Sequence, residues 1–250
     1  QMIADAAGVN KGDILSADLF LYNRDNGYVW GPENELLSCP KLDDLQCAYA
    51  SMTAFLEGEA SAHTAAVCAI LDNEEVGSGT KQGAASTFLL DVLGRISDSL
   101  GLSGEERVIK LRSSFMISSD NAHAVHPNHP ELADPQNAPV IGGGVVLKFN
   151  ANLRYCTDGV SVAIFRKICA GANVPVQTYC NRADIPGGST LGNISLSHVS
   201  VPTVDIGLPQ LAMHSCYETA GVKDALYLLD AMKAFYSASM QISGQEYILK

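Results

Sequence analysis

Positive charge is scarce in this sequence, and the deficit excludes a large class of functions. There are 16 Lys and Arg residues against 27 Asp and Glu residues, so the formal net charge is −11. Proteins that bind nucleic acid present a basic surface to the phosphates. The composition therefore predicts that nucleic acid is not a partner.

Long hydrophobic runs are also lacking. No apolar stretch approaches the roughly 18 residues that a membrane span requires. The first residues, QMIADAAGVNKGD, have no basic start followed by an apolar block, unlike a secretory signal peptide. We therefore expect no membrane partner.

Cysteine pairs at metal-binding or redox spacing are absent. The chain has seven cysteines, an odd number, and none of them forms a C-x-x-C pair. Cys68 lies within the apolar run AAVCAIL, where free cysteine behaves as a small hydrophobic residue. Reduced thiols in a cytoplasmic protein are the interpretation that fits.

An alternation of helix-like and strand-like stretches fills the chain from residue 42 onward. Apolar spacing of three and four predicts helices over 42–56, 82–101, 160–172 and 222–239, with a short helix after the GGST turn. Short β-rich runs predict strands at 16–23, 64–71, 112–119, 145–150, 174–180 and 201–208. The alternation predicts an α/β fold, a three-layer α/β/α sandwich around a largely parallel mixed sheet. Residues 1–38 form a distinct entry segment with an edge strand, and residues 39–250 form the main domain.

Polar residues follow several of the predicted strands, where α/β proteins place their sites. The run TAAVCAIL leads into Asp72, Asn73, Glu74 and Glu75, and FMISS leads into Asp120, with His123 and His126 beyond it. His214 follows VPTVDIGLPQLAM, and the helix-like segment LDDL opens with Asp43 and Asp44.

These residue types suit a metal site. Adjacent carboxylates after an apolar strand are costly unless a cation or solvent receives them, and Asp, Glu and His together suit zinc. One bridging carboxylate with two further ligands per metal describes a two-metal hydrolase, in which a free carboxylate acts as base. Solvated loop carboxylates and a structural histidine are the alternative interpretation. Gly187 and Gly188 likewise either direct backbone N–H groups at a substrate or only cap a helix.

Five motifs make the interpretation more specific. They occur in the order LDNEEVGSGTKQGAAS, SSDNAHAVHPNHPE, NANLRYCTDGVSVAIFRKIC, IPGGSTLGN and VDIGLPQLAMHS. Together they resemble the aspartyl aminopeptidase and vacuolar aminopeptidase I family of two-zinc metallopeptidases, over about residues 13–236. The resemblance implies a zinc-peptidase-like fold, of which this chain is the C-terminal catalytic portion.

The resemblance also assigns roles to residues. It implies that Asp43 bridges two zinc ions, that Glu75 and His214 ligate one of them, and that Asp120 ligates the other. Glu74 is then the catalytic base. Lys148, Asp184 and Gly188 are implied to bind substrate, although Lys148 could instead pair with a neighbouring carboxylate such as Asp184. A cis peptide bond between Asp43 and Asp44 is expected on the same grounds.

Departures from the family pattern matter as much. The family's fifth ligand is a histidine in an H-x-D motif, and no H-x-D occurs here. The dimerisation domain is missing apart from its last residues within 1–38. Cys216, Tyr217 and Gly187 also differ from the residues usual in the family. We therefore expect a truncated chain in which one zinc site is weak, unless His123 or His126 substitutes for the missing ligand.

The function implied is that of an aminopeptidase that removes N-terminal residues, acidic ones favoured, from peptide substrates. The full-length form is expected to be a homo-oligomer. The main alternative is a non-catalytic fragment or scaffold that retains the fold and at most one metal. A two-metal hydrolase of another substrate class is the third possibility.

Overall fold

The computed structural model describes residues 1–244 and 246–249, and that part of the chain forms helices and strands in alternation. The helices are α1 (Met2–Ala7), α2 (Leu42–Glu57), α3 (Phe88–Ser99), α4 (Gly104–Arg112), α5 (Gly159–Gly171), α6 (Leu191–Ser195) and α7 (Val222–Ser237). Short 3₁₀ turns lie at Lys11–Asp13 and Pro130–Leu132.

The strands are short. They are β1 (Tyr28–Trp30), β2 (Leu36–Cys39), β3 (Met116–Ser119), β4 (Ala122–His123), β5 (Val145–Phe149), β6 (Val176–Cys180), β7 (Thr203–Gly207), β8 (Pro209–Leu211), β9 (Glu218–Gly221), β10 (Met240–Ser243) and β11 (Glu246–Leu249). They form mixed sheets flanked by helices, which confirms the α/β class.

A four-stranded sheet in the order β3-β7-β5-β6 lies at the centre of the fold. The pairs β3/β7 and β5/β6 are parallel, whereas β7 and β5 run antiparallel. One face of this sheet, which includes Val145, Leu147, Val204 and Ile206, packs with residues of α2, α5 and α7 in the main hydrophobic core. This face is the apolar surface that gives the sheet its stability.

The opposite face of the same sheet is largely polar although it is also buried. Side chains alternate along each strand, so Ser118, Lys148 and Asp205 point away from the main core. The short helix α6 covers part of this face. A Cβ added at Gly192 would lie 2.6 Å from Asp205 Oδ1 and 2.7 Å from Ser118 Cβ, so the close approach of α6 requires glycine.

A second sheet, in the order β1-β2-β9-β8-β4, continues from β7 through β8. Its pairs are antiparallel except β4/β8, which is parallel. Strands β1 and β2 fall mostly within the predicted entry segment, and they pair into this sheet. The division of the chain near residue 38 stays a prediction.

Two predicted strands, 16–23 and 64–71, are wrong. Neither segment is a strand or has a hydrogen-bonded neighbouring strand within residues 1–244 and 246–249. Leu19, Phe20 and Leu21 are exposed, as are Val67 and Ile70. A β-rich composition favours extended backbone, but a strand also needs a partner for its N–H and C=O groups.

Several further elements are not predicted by the sequence pattern. Helix α4 is capped by Ser103, whose side chain accepts a hydrogen bond from the backbone N–H of Glu106 while the Glu106 carboxylate accepts from the backbone N–H of Ser103. The S-x-x-E pattern that announces such a cap was present in the sequence. The short strands β2, β8 and β9 carry no comparable local signal. Among the described helices, none has both the length and the apolar character to cross a membrane.

The start of α7 fixes the loop that leads into β5. The Asp224 carboxylate is fully buried and accepts hydrogen bonds from the backbone N–H groups of Gly142, at 2.7 Å, and Gly144, at 2.9 Å. Both glycines have positive φ, 82° and 97°, a region that favours glycine. Burial raises the pKa of Asp224 to about 6 even though these bonds oppose the shift.

The Asp224 contribution to stability should therefore be lost as pH rises. The folded carboxyl holds its proton up to about pH 6, whereas the unfolded one releases it near pH 4. Between these values the folded state binds more protons, so the free energy of unfolding falls by about 1–3 kcal/mol as pH rises. Urea denaturation from pH 4 to 7 should show a shallower fall for Asp224→Asn than for wild type. Asp230→Asn, at an exposed position of the same helix, is the control and should keep the wild-type slope; equal slopes in all three proteins would contradict the assignment.

Candidate metal centre

Asp43 lies at the irregular start of α2. The preceding Lys41 has φ 63°, and Asp43 itself is extended, with φ −84° and ψ 116°. The peptide bond between Asp43 and Asp44 is cis, as predicted. This backbone turns the Asp43 side chain into the protein, where only 5% of it is exposed.

Three residues from distant parts of the chain converge at Asp43. His214 Nε2 lies 3.1 Å from Asp43 Oδ2 and 2.9 Å from Glu75 Oε2. The imidazole is 65% exposed and the Glu75 side chain 40% exposed, so the cluster opens to solvent on one side. We call Asp43, Glu75 and His214 the imidazole cluster.

A second group shares Asp43 and contains only carboxylates. One oxygen each from Asp43, Asp44 and Asp120 lie within 4.8 Å of one another. Asp44 Oδ1 is buried and has no hydrogen-bond partner among the described residues. We call these three residues the carboxylate cluster. Asp43 therefore belongs to both groups.

Lys148 forms an ion pair with one member of the carboxylate cluster. Its Nζ lies 3.5 Å from Asp120 Oδ2 and donates a hydrogen bond of 2.8 Å to the carbonyl oxygen of Asn121. It also lies 5.3 Å from the centre of the Tyr155 ring. Although burial opposes the charged form, Asp120 and the other negative groups around Lys148 raise its pKa above the ordinary value. The expected alternative pairing with Asp184 does not occur, because Asp184 pairs with Arg182 at 2.6 Å.

Burial and mutual repulsion raise the pKa values of the acidic residues. Burial, followed by the charges of Asp120 and Glu75, raises the pKa of Asp43 to about 8. Burial is also the main cause for Glu74, whose pKa rises to about 7. The pKa values of Asp44 and Glu75 are raised for the same leading reason. Such carboxylates are stable as anions only beside a cation.

The imidazole cluster fits zinc. Zinc takes carboxylate oxygen and histidine nitrogen at about 2.0–2.2 Å in tetrahedral sites, which separates neighbouring ligand atoms by about 3.4 Å. The observed separations of 2.9 and 3.1 Å are close to that value. The carboxylate cluster also offers ligand oxygens, including the unpartnered oxygen of Asp44, but no nitrogen.

The remaining predicted residues belong to neither cluster. Glu74 belongs to neither cluster, although the charges of Asp120 and Glu75 affect its pKa. Asp184 and Gly188 are exposed in the loop after β6. His123 lies near the Tyr179 ring and His126 near His129, and neither is part of the described clusters. The assigned roles of all these residues stay predictions.

The sequence profile described as aminopeptidase I zinc metalloprotease (M18) matches residues 1–236. The chain belongs to the M18 aminopeptidase family. The resemblance inferred from the five motifs is thereby confirmed.

Relatives in the M18 family share much of the sequence. The chain is 44% identical over 237 residues to a probable M18 family aminopeptidase 2 of Clostridium acetobutylicum, covering 95% of this chain and 54% of that protein. The corresponding protein of Mycobacterium leprae is 40% identical over 240 residues, covering 96% of this chain and 56% of its own length. The chain thus spans about half the length of these relatives.

Solved structures agree on the fold. Yeast aminopeptidase 1 (Ape1) superposes with a TM-score of 0.78 at 28% identity, covering 94% of this chain and 53% of the yeast chain. Ape4, solved in complex with Nbr1, gives a TM-score of 0.79 at 34% identity and covers 86% of this chain and 42% of its own. The predicted zinc-peptidase-like fold is confirmed.

Some candidate residues of this M18 site were not found from the sequence. Asp44 was noted only as a neighbour of Asp43, yet it belongs to the carboxylate cluster. Asn121 and Glu218 both hydrogen bond to Asp43. Asn121 directly follows Asp120, which was a usable signal. No local sequence signal identifies Glu218, because its hydrogen bond with Asp43 joins residues 175 positions apart in sequence.

Removing the Lys148 charge should destabilise the fold strongly. Lys148→Met keeps the length of the side chain but leaves Asp120 buried without its cation, which should cost about 3–5 kcal/mol. Lys233→Met is the control, because Lys233 forms a surface pair with Glu57 at 2.7 Å and should cost about 0–1 kcal/mol. Urea denaturation in the presence of a chelator measures both. Equal losses for the two variants would show that the buried pair has no special weight.

Proposed function

We propose that this chain carries the zinc-binding and general-base part of an aminopeptidase that removes N-terminal residues from peptides. The observation that carries the proposal is the convergence of Asp43, Glu75 and His214 from three distant segments. Membership of the M18 family supports the same reaction.

Zinc held by the imidazole cluster would supply a Lewis acid that acidifies water and polarises the scissile carbonyl. As the family resemblance implies, we assign the proton transfers to Glu74. With a pKa of about 7 it can take a proton from the attacking water and hold it near neutral pH. As the carbon–nitrogen bond breaks, Glu74 returns that proton to the departing amine.

We further propose that the chain alone binds one zinc tightly. The imidazole cluster has a nitrogen ligand and two carboxylates, which suits zinc. The carboxylate cluster has no nitrogen, and the ammonium of Lys148 lies 3.5 Å from Asp120. The positive charge of Lys148 would repel a second metal cation at the carboxylate cluster. The missing H-x-D histidine points the same way.

The preference for acidic N-terminal residues is the finest part of the proposal and rests on the family resemblance. Asp184 and Gly188 are exposed and keep their proposed contact with substrate. Lys148 has a side chain only 2% exposed, which suits its ion pair with Asp120 better than direct contact with a substrate side chain.

Assembly and location are also proposals. The mApe1 protein of S. cerevisiae was solved as a dodecamer and superposes with a TM-score of 0.76 at 28% identity. A homo-oligomeric full-length form is therefore proposed here. All seven cysteines are free, which suits the reducing cytoplasm.

Zinc binding provides the first test. Mass spectrometry of the native protein should find one zinc per chain, and His214→Ala should abolish tight binding because it removes the nitrogen ligand. His63→Ala, at an exposed position outside the clusters, is the control and should bind like wild type. Zinc retained by His214→Ala would refute the site, and two tight zinc ions per chain would refute the proposed stoichiometry.

Catalysis is tested in a chimera that joins the N-terminal part of the Clostridium acetobutylicum relative to this chain. The chimera should hydrolyse aspartyl and leucyl anilides, whereas the 250-residue chain should show negligible turnover. Glu74→Gln in the chimera should lower kcat by about 10²–10⁴-fold while zinc content stays unchanged. A chimera that binds two zinc ions but does not turn over would favour the scaffold alternative.

A further inference from the structure

A buried carboxylate lies behind the imidazole cluster and contacts two of its three members through their backbones. Glu218 is the first residue of β9 and only 2% exposed. Its Oε2 accepts a hydrogen bond of 2.9 Å from the backbone N–H of Asp43. Its Oε1 accepts one of 2.8 Å from the backbone N–H of His214. One carboxylate thus joins two chain segments that are otherwise remote in sequence.

Both of these segments have irregular backbone that needs an external anchor. His214 has φ 66°, an uncommon conformation for a residue other than glycine, and Ala212 before it has φ 56°. Asp43 is extended within the first turn of α2. By contrast, Glu218 lies on β9, which is paired on both sides, with β2 and with β8. The rigid element therefore holds the irregular ones.

A second group completes the orientation of Asp43. Asn121 Nδ2 donates to Asp43 Oδ1 at 3.1 Å and to the Leu42 carbonyl at 2.8 Å. Gln46 Nε2 donates to Asn121 Oδ1 at 2.7 Å, which fixes the orientation of the Asn121 amide. Asp43 Oδ1 is thereby engaged, and Oδ2 is the oxygen that faces His214.

We infer that Glu218 is a positioning residue that sets the separation of Asp43 and His214 for zinc. This inference rests on the proposed function. Glu218 belongs to neither cluster of possible ligands, and it acts through the two backbone amides that it anchors. Groups that orient metal ligands typically change metal affinity by 10- to 100-fold when replaced.

Two substitutions of Glu218 distinguish the effect of its hydrogen-bonding geometry on zinc affinity from the effect of its charge. Glu218→Gln keeps the size of the side chain but offers one acceptor oxygen, so one backbone amide loses its partner and faces a donor. Glu218→Asp keeps the charge but is one methylene shorter, so it cannot reach both amides. Glu57→Gln removes an exposed carboxylate on α2 and is the control for the loss of one charge.

The test measures the zinc affinity of the full 250-residue chain by competition with a chelator, with folding checked by circular dichroism. Both Glu218 variants should bind zinc at least about 10-fold more weakly than wild type, and Glu57→Gln should bind like wild type. Affinity unchanged in Glu218→Asp would overturn the inference, because charge alone would then suffice. If Glu218→Gln does not fold, Glu218→Asp decides alone.

Hydrogen exchange of backbone amides, measured without metal, tests the anchoring role of Glu218 independently of the proposed function. The amides of Asp43 and His214 should be protected in the wild-type chain without metal and should exchange faster in Glu218→Asp. A wild-type chain that binds no zinc overturns the proposed function, and the amide exchange rates then still decide whether Glu218 anchors the two segments. Unprotected amides in the wild type would overturn the anchor itself.

Discussion

The burial of the Asp43 carboxylate is the constraint on which the site depends. Its side chain is 5% exposed and belongs to both the imidazole cluster and the carboxylate cluster. Ionising it without a nearby cation therefore costs a large desolvation free energy. The rise of its pKa to about 8 reflects this cost. The surrounding structure keeps the carboxylate in place through Glu218 on the backbone side and Asn121 on the side chain.

The central sheet distributes charge around that carboxylate. Its apolar face builds the core with α2, α5 and α7, which leaves the other face to hold buried polar groups. Lys148 on β5 pairs with Asp120, which directly follows β3. Strand β7 lies between β3 and β5 in the sheet, so the pair spans two strands that are not neighbours. The two clusters consequently differ in character. One has an imidazole and an opening to solvent, and the other is enclosed and already holds an ammonium group nearby.

Much of this organisation followed from local patterns. Helices α2, α5 and α7 and strands β5, β6 and β7 lie where apolar periodicity predicted them, because each buries a continuous apolar face. Segments 16–23 and 64–71 have the composition of strands but are not strands, because composition does not supply a hydrogen-bonded neighbour. Lys148 does pair with a carboxylate, but with Asp120 rather than with Asp184, because the choice between the two depends on the fold.

The sequence by itself determined the family, the α/β class and the residue types of a metal site. In motifs such as NEEVG and MHS the candidate functional residues are consecutive or nearly so, and such motifs can be recognised without a structure. Only the tertiary structure decided which carboxylates share Asp43, that Asp44 joins them, and that Glu218 anchors both Asp43 and His214. These are contacts between segments as far as 175 positions apart. Their distances are set by strand pairing and core packing, which no local pattern encodes.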